Sequence, residues 1–379
     1  MDLTLSDTQQ LLSDSARALL TNRADFERLR AVEDSPLGFD AALWAEMTAS
    51  GWTDLVAGGW DEESDGLMAT LLSELGRAAV ASPFFQTVAA AGLMAASLGD
   101  TPARDACLAR IADGAKSALL ASAGLPGLAR GAMQAEEITL NGGPYYIEWA
   151  HVAEQLVCPV RVGAGFVLVL LDPGDAGVSI TPLRATDNER VAQVDLCNVR
   201  LGRDRLLTGE AVPAAKVEHA LLRMRVLRAT EMAGGTAHVL ELTTQYVKER
   251  HQFGRPLAAL QSVQHVCADM AIEADAAWLA TWEAVTMMGH ADAFAPRAAI
   301  ATYIAGRAYE RTTQMAAQVH GGMGSMAEYP LQFYYRRAKA QRLRLGSIPM
   351  QLEAVARHVV DRTAASGTFP TRELIVAED

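Results

Sequence analysis

Two clusters of side chains have the types and spacing needed to hold a phosphate-bearing ligand. The first is Glu249-Arg250-His251-Gln252-Phe253-Gly254-Arg255-Pro256-Leu257, trailed at fixed distances by Gln261, His265, Ala268, Asp269 and Met270. The second is Gln318-Val319-His320-Gly321-Gly322-Met323-Gly324, followed by Glu328-Tyr329-Pro330 and by Arg336-Arg337-Ala338-Lys339. Arg250 presents a planar fork of donors that keeps its charge and matches a pyrophosphate. Gln261 and Gln318 carry amides that both donate and accept, which suits a ribose or an adenine edge. Gly321 and Gly322 let a backbone pass close to a ligand where a Cβ would collide. His251, His265 and His320 share no metal-ligand spacing, so they read as structural or phosphate-adjacent, and no metal site is expected. Met323 and Met326 read as gap-fillers beside an apolar surface.

The elements that must position these residues fall into three stretches. Up to about residue 115 the pattern is helical. Ser6 and Gln9 form a capping box, Leu12, Ala16 and Leu19 make one stripe, and helices are expected over Ala41–Met47, Leu67–Ala79 and Pro83–Leu98. From about 116 to 212 the texture is that of short strands: Leu156–Val160, Phe166–Leu171 before the turn Asp172-Pro173-Gly174-Asp175, Gly177–Thr181 and Arg190–Leu196. These suggest a compact β-sandwich or barrel. From 213 onward long helices return. Met232, Val239, Leu242 and Tyr246 mark one, and Val263, Val266, Met270, Ala274 and Ala277 a second that runs on through Ala276–Gly289. Pro296–Gln318 and Met350–Ala365 mark two more. The expected domains are therefore 1–115, 116–212 and 213–379, in a chain that is mainly α with a β-domain in the middle.

Composition narrows the function. The 33 basic and 45 acidic residues give a net charge of −12, which argues against a nucleic-acid binder while leaving room for local arginines around a cofactor. Cys107, Cys158, Cys197 and Cys267 are far apart and form no CxxC pair, so no disulfide framework is indicated. No apolar run is long enough for a membrane span, and Met1-Asp2-Leu3-Thr4-Leu5 does not read as a secretory leader. The expected location is cytoplasmic.

Read together, the two clusters resemble the acyl-CoA dehydrogenase family, whose pattern is ERxQFGxPLxxxQxxxHxxADM followed by QxxGGxGxxxEYPxxxxxRRA. The resemblance implies an N-terminal helical domain, a middle β-sandwich or barrel and a C-terminal four-helix bundle. It implies FAD as cofactor, with Arg250, Phe253, Gln261, Gln318, Gly321 and Gly322 along its pyrophosphate and adenine half. In that family these residues reach across an interface to a neighbouring subunit's flavin, so a dimer or tetramer is implied. An acyl-CoA thioester is the implied substrate, with an electron-transfer flavoprotein among the candidate electron acceptors.

The family's reaction removes an α-proton with a glutamate and passes the β-hydride to flavin. That glutamate precedes either a Gly-Thr or Gly-Ser pair, here Gly346-Ser347, or an arginine near the start of the first long C-terminal helix, here Arg225. The residues at those places are Leu345 and Met224, and neither accepts a proton. No catalytic residue is therefore assigned to this chain. The own-subunit flavin contacts also depart from the pattern. Ala118-Leu119-Leu120-Ala121-Ser122-Ala123-Gly124 stands in the TEPxxGSD-like loop, and Tyr145-Tyr146-Ile147-Glu148-Trp149 in the WITN-like strand. Glu148 replaces a threonine there, a poor neighbour for an electron-rich flavin. Ser347 remains a cofactor contact by position, while Pro349 replaces a glutamine. The selective loss implies a subunit without its own base that shares FAD with a homologous partner. The alternatives are a self-sufficient homo-oligomer using Glu231, Glu328 or Glu353 as a displaced base, and a FAD-free scaffold of the same fold.

Overall fold

The computed structural model describes residues 4–57, 60–121, 128–133 and 137–366. Met1–Leu3 and the Ser122-Ala123-Gly124 part of the flavin-loop motif lie outside the described residues. The N-terminal stretch folds into helices α1 (Asp7–Arg23), α2 (Phe26–Asp34), α3 (Ala41–Ala49) and α4 (Glu62–Ala78). A π-helical turn at Phe85–Gly92 then runs into α5 (Leu93–Leu98), and α6 (Pro102–Ala112) follows. The capping box at Ser6 and Gln9 forms, with Gln9 N donating to Ser6 Oγ and Ser6 N to Gln9 Oε1. Met68, Leu71 and Leu72 of α4 are fully buried, each side chain contributing on the order of 1.5–3 kcal/mol of burial.

The middle stretch is one mixed sheet of seven strands among the described residues: β1 (Ser117–Leu119), β2 (Ala129–Met133), β3 (Glu137–Glu148), β4 (Gln155–Val162), β5 (Gly165–Leu171), β6 (Val178–Leu183) and β7 (Val191–Gly202). The short β1 and β2 both run parallel to β4, while β3–β7, β6–β7 and β4–β5 are antiparallel. Past β7 the chain returns to the free edge of β5, where Leu206 bridges Val169 and Val212 bridges Phe166. Alternate residues of β4 and β5 (Leu156, Cys158, Val160; Val167, Val169, Leu171) fill one apolar core, as period-two patterning requires.

The C-terminal stretch holds α7 (Ala214–Glu249), the small ribbon β8 (His251–Gln252) and β9 (Arg255–Pro256), α8 (Gln261–Thr286), α9 (Ala291–His320), α10 (Leu331–Arg344) and α11 (Ile348–Ser366). It joins the N-terminal helices through a shared core. α4 and α7 approach so closely that a Cβ at Gly234 would stand 2.0 Å from the Ser73 carbonyl oxygen. Two expectations need correction here. α9 begins at Ala291, ahead of Pro296, and Arg297 Nη1 donates to the Ala293 carbonyl in that early turn. α10 was not expected at all. Its buried face mixes Leu331, Phe333, Tyr334 and Ala338 with Arg337, Gln341 and Arg342, so the apolar stripe fades in its second half. No helix among the described residues is long and apolar enough to cross a membrane.

Candidate functional site

Two places bring the sequence-predicted residues together. The first is a cleft of about 410 Å³ between the end of β3, the π-helical turn, α7 and the end of α10. Leu221, Met224, Arg225 and Arg228 line it from α7, where spacings of three and four place them on one helix face. Leu345, the C-terminal cap of α10, and Glu148, the last residue of β3, line it too. Both expected base positions thus face one cavity, and both present hydrocarbon to it.

Glu148 is the carboxylate of that lining, and three donors are committed to it. Gln86 Nε2 donates to it at 2.7 Å, Arg228 Nη2 at 3.0 Å, and Arg344 Nε is paired with it at 3.1 Å. These arginines belong to a larger buried cluster. Arg228 Nη1 also reaches Glu231 at 2.7 Å, and Arg344 Nη1 reaches Asp187 at 2.7 Å and Glu189 at 2.6 Å. Arg337 pairs with Glu189 at 3.2 Å and with Glu231. Burial pushes Glu189 up, but the attraction of Arg337, Arg344 and Arg228 outweighs it and holds the group down at about 2. For Asp187 burial prevails, and the group is held above its ordinary range against the pull of Arg344. Glu148, expected from the sequence as a poor neighbour for a flavin, is thus paired with Arg228 and Arg344.

The displaced bases can be placed as well. Glu231 is buried and committed to Arg228, Arg337 and Gln341 Nε2 at 2.8 Å, so it is no free base. Glu353 is an exposed partner of Arg357 at 3.0 Å, and Glu328 is exposed beyond the end of α9. Neither lines the cleft. Ser347, expected near a cofactor, uses its Oγ to cap α11 by accepting from Met350 N at 3.3 Å.

The second place is one end of the C-terminal bundle, where α7 ends, α8 begins and α9 ends. Tyr246 of α7 stacks on His320 of α9 with ring centroids 4.1 Å apart. Nδ1 of His320 faces the Ala316 carbonyl at 2.7 Å and so carries the proton, which leaves Nε2 to accept from Tyr329 OH at 3.0 Å. Burial lowers the pKa of His320, in keeping with this neutral, structural role. The stack ties the two sequence clusters together, with Arg250 one turn beyond Tyr246 and Gln318 two residues before His320.

Around that joint the predicted ligand residues stand exposed. Arg250, Gln261 and Gln318 make no side-chain hydrogen bond or ion pair among the described residues, and Phe253 is 88% exposed at a left-handed φ of 56°. Gly321 has φ 58° and ψ −134°, which demands glycine. At Gly322 a Cβ would meet nothing within 4 Å, so nothing inside this chain explains the missing side chain. Met323 and Met326 are 41% and 44% exposed. A dinucleotide fits this end chemically, with its uncommitted cation, amides and bare backbone. An isoalloxazine fits the cleft poorly, because the polar groups at its floor already have partners.

Residues 215–360 match the family model for the acyl-CoA dehydrogenase C-terminal domain. The chain is 26% identical over 361 residues to acyl-CoA dehydrogenase IpdE2 of Mycolicibacterium smegmatis, covering 94% of this chain and all of that one. Its backbone is similar to a chain of the Tcur3481–Tcur3483 steroid ACAD (TM-score 0.84, 27% identity, 95% of this chain and 100% of that one). It is also similar to a chain of the ChsE4–ChsE5 complex from Mycobacterium tuberculosis (TM-score 0.87, 22% identity, 95% and 99%), a likeness of fold. The helix–sheet–bundle architecture, the two motifs joined at one bundle end and these likenesses mark residues 215–360 as an acyl-CoA dehydrogenase C-terminal domain and make the chain, over nearly its whole length, similar to acyl-CoA dehydrogenases, oxidoreductases acting on CH–CH bonds.

Proposed function

We propose that this chain is the base-less subunit of a hetero-oligomeric acyl-CoA dehydrogenase, holding FAD jointly with a homologous subunit that supplies the glutamate. FAD, when bound, takes up the hydride from the substrate's β-carbon. This chain's part is to bind and orient. Arg250 would hold the pyrophosphate through its fork, Gln261 and Gln318 the adenosine edge, and Gly321 and Gly322 would leave room for both, with Phe253 against the ring. Residues 1–115, 116–212 and 213–379 are its proposed domains, and the cytoplasm its proposed compartment.

The observation that carries the reading is the contrast within one cleft: Met224 and Leu345 both line it, and the neighbouring carboxylate Glu148 is committed to Gln86, Arg228 and Arg344. General-base catalysis needs an acceptor within hydrogen-bond reach of the substrate's α-carbon proton, and these walls lack a free one. Two structural relatives are two-component assemblies, which supports the pairing, and one of them is a steroid ACAD, which supports a bulky acyl-CoA as substrate. An electron-transfer flavoprotein is the proposed acceptor. The test is to purify the chain alone and co-produced with a homologue that keeps glutamate before its Gly-Thr pair. Bound flavin and acyl-CoA oxidation are expected only in the mixed preparation. Turnover by the lone chain would favour a homo-oligomer, and flavin in neither preparation a scaffold.

A further inference from the structure

Resting on that reading, we propose that Glu148 makes this chain's own cleft refuse an isoalloxazine ring, by acting as an internal acceptor for the donors that such a ring would need. Donors from three separate elements converge on its carboxylate: Gln86 from the π-helical turn, Arg228 from α7 and Arg344 from the end of α10, at 2.7, 3.0 and 3.1 Å. The pyrimidine edge of a flavin is mainly an array of carbonyl and ring-nitrogen acceptors, and it is recognised by donors that have no other commitment. A buried carboxylate competes against those acceptors with charge-assisted bonds roughly twice as strong as neutral ones. Among the residues lining the cleft, none has a buried side-chain nitrogen or oxygen left without a partner. Room is not the limit, since the cleft measures about 410 Å³ and Phe85, Leu221, Met224 and Leu345 give it apolar walls.

The charge balance of the cluster points the same way. Glu148, Asp187, Glu189 and Glu231 face Arg228, Arg337 and Arg344, four carboxylates against three guanidiniums. Removing Glu148 evens the count without stranding an arginine. Arg228 keeps Glu231 at 2.7 Å, and Arg344 keeps Asp187 at 2.7 Å and Glu189 at 2.6 Å. A variant without Glu148 should therefore fold, with donors newly facing the cavity.

Two fragments separate the inference from the reading beneath it. Lumiflavin, which lacks pyrophosphate and adenine, probes the cleft, and ADP probes the bundle end. In fluorescence titrations of the purified full chain, the wild type should show no saturable lumiflavin binding, and Glu148→Thr should bind at least tenfold more tightly. Glu148→Gln keeps the packing but gives up the charge-assisted bonds, and should gain by less. ADP binding should be equal in all three. Saturable lumiflavin binding by the wild type would overturn the inference, and so would a folded Thr or Gln variant that gains none. Absence of ADP binding by the wild-type chain in the mixed complex would instead overturn the shared-cofactor reading.

Discussion

The guanidiniums of the buried charge cluster beside the cleft and that of Arg250 at the bundle end carry the same charge into opposite surroundings. Arg228 and Arg337 are 5% and 1% exposed, each facing two or more carboxylates, whereas Arg250 is exposed and has no ion pair among the described residues. The same holds for the amides: Gln86 and Gln341 are buried donors to Glu148 and Glu231, while Gln261 and Gln318 point to solvent. A buried cluster whose charges are all paired is finished within the chain, although Gln341 Oε1 finds no donor among the described residues. An exposed set held in place by the Tyr246–His320 stack is not finished, and its purpose lies with something outside the chain. That difference teaches where to look for the ligand: away from the deepest cleft, at the end of the bundle.

Breaking the finished side should give the largest effect. Arg337→Ala leaves Glu231 and Glu189 without one of their buried partners and should lower unfolding free energy by about 3–5 kcal/mol in urea denaturation. Arg250→Ala should do the reverse. It should leave unfolding within about 0.5 kcal/mol of the wild type while weakening FAD retention in the mixed complex by about 1.5–3 kcal/mol. Flavin absorbance after gel filtration reads the second effect, and unchanged flavin content would remove Arg250 from the site.

Acid sharpens the comparison further. The folded-state pKa of Glu189, about 2, lies below its ordinary value of 4.5, so its contribution is complete above that range and fades as pH falls toward 2. Asp187 is shifted upward and works in the opposite sense, its protonation favouring the folded state. Glu189→Gln should therefore flatten the fall of melting temperature between about pH 5 and pH 2. A variant that melts with the same acid slope would show that the cluster does not set the acid limit. Gly322→Ala should leave melting unchanged, because a Cβ there meets nothing, and should still reduce flavin retention. The smallest expected effect is none at all: Leu345→Glu should show no acyl-CoA oxidation, since the floor of the cleft remains closed by Glu148.

Much of this was legible in the sequence, for reasons that differ by region. The apolar stripes of α7 and α8 and the alternation in β4 and β5 bury hydrocarbon, and period is visible wherever hydrocarbon is buried. The bundle-end residues stood out in the sequence through the family resemblance of the two clusters, and the fold brings those clusters to one end of the bundle. α10 and the charge cluster were not, because Arg337, Gln341, Arg344 and Arg228 look like surface residues until Glu148, Asp187, Glu189 and Glu231 are brought to them from distant parts of the chain. The short β1 and β2 were missed because three to five residues carry too little pattern. Glu148 itself was identified from the sequence, but its arginine partners came only with the fold.

The most direct test of the account is the flavin stoichiometry of the mixed complex, from absorbance of released FAD against polypeptide concentration. One flavin for every pair of chains is predicted, lost when the partner's own-side flavin contacts are removed and reduced by Arg250→Ala in this chain. One flavin for every chain, with half of it insensitive to changes in the partner's own cleft, would contradict the division of labour proposed for these two regions.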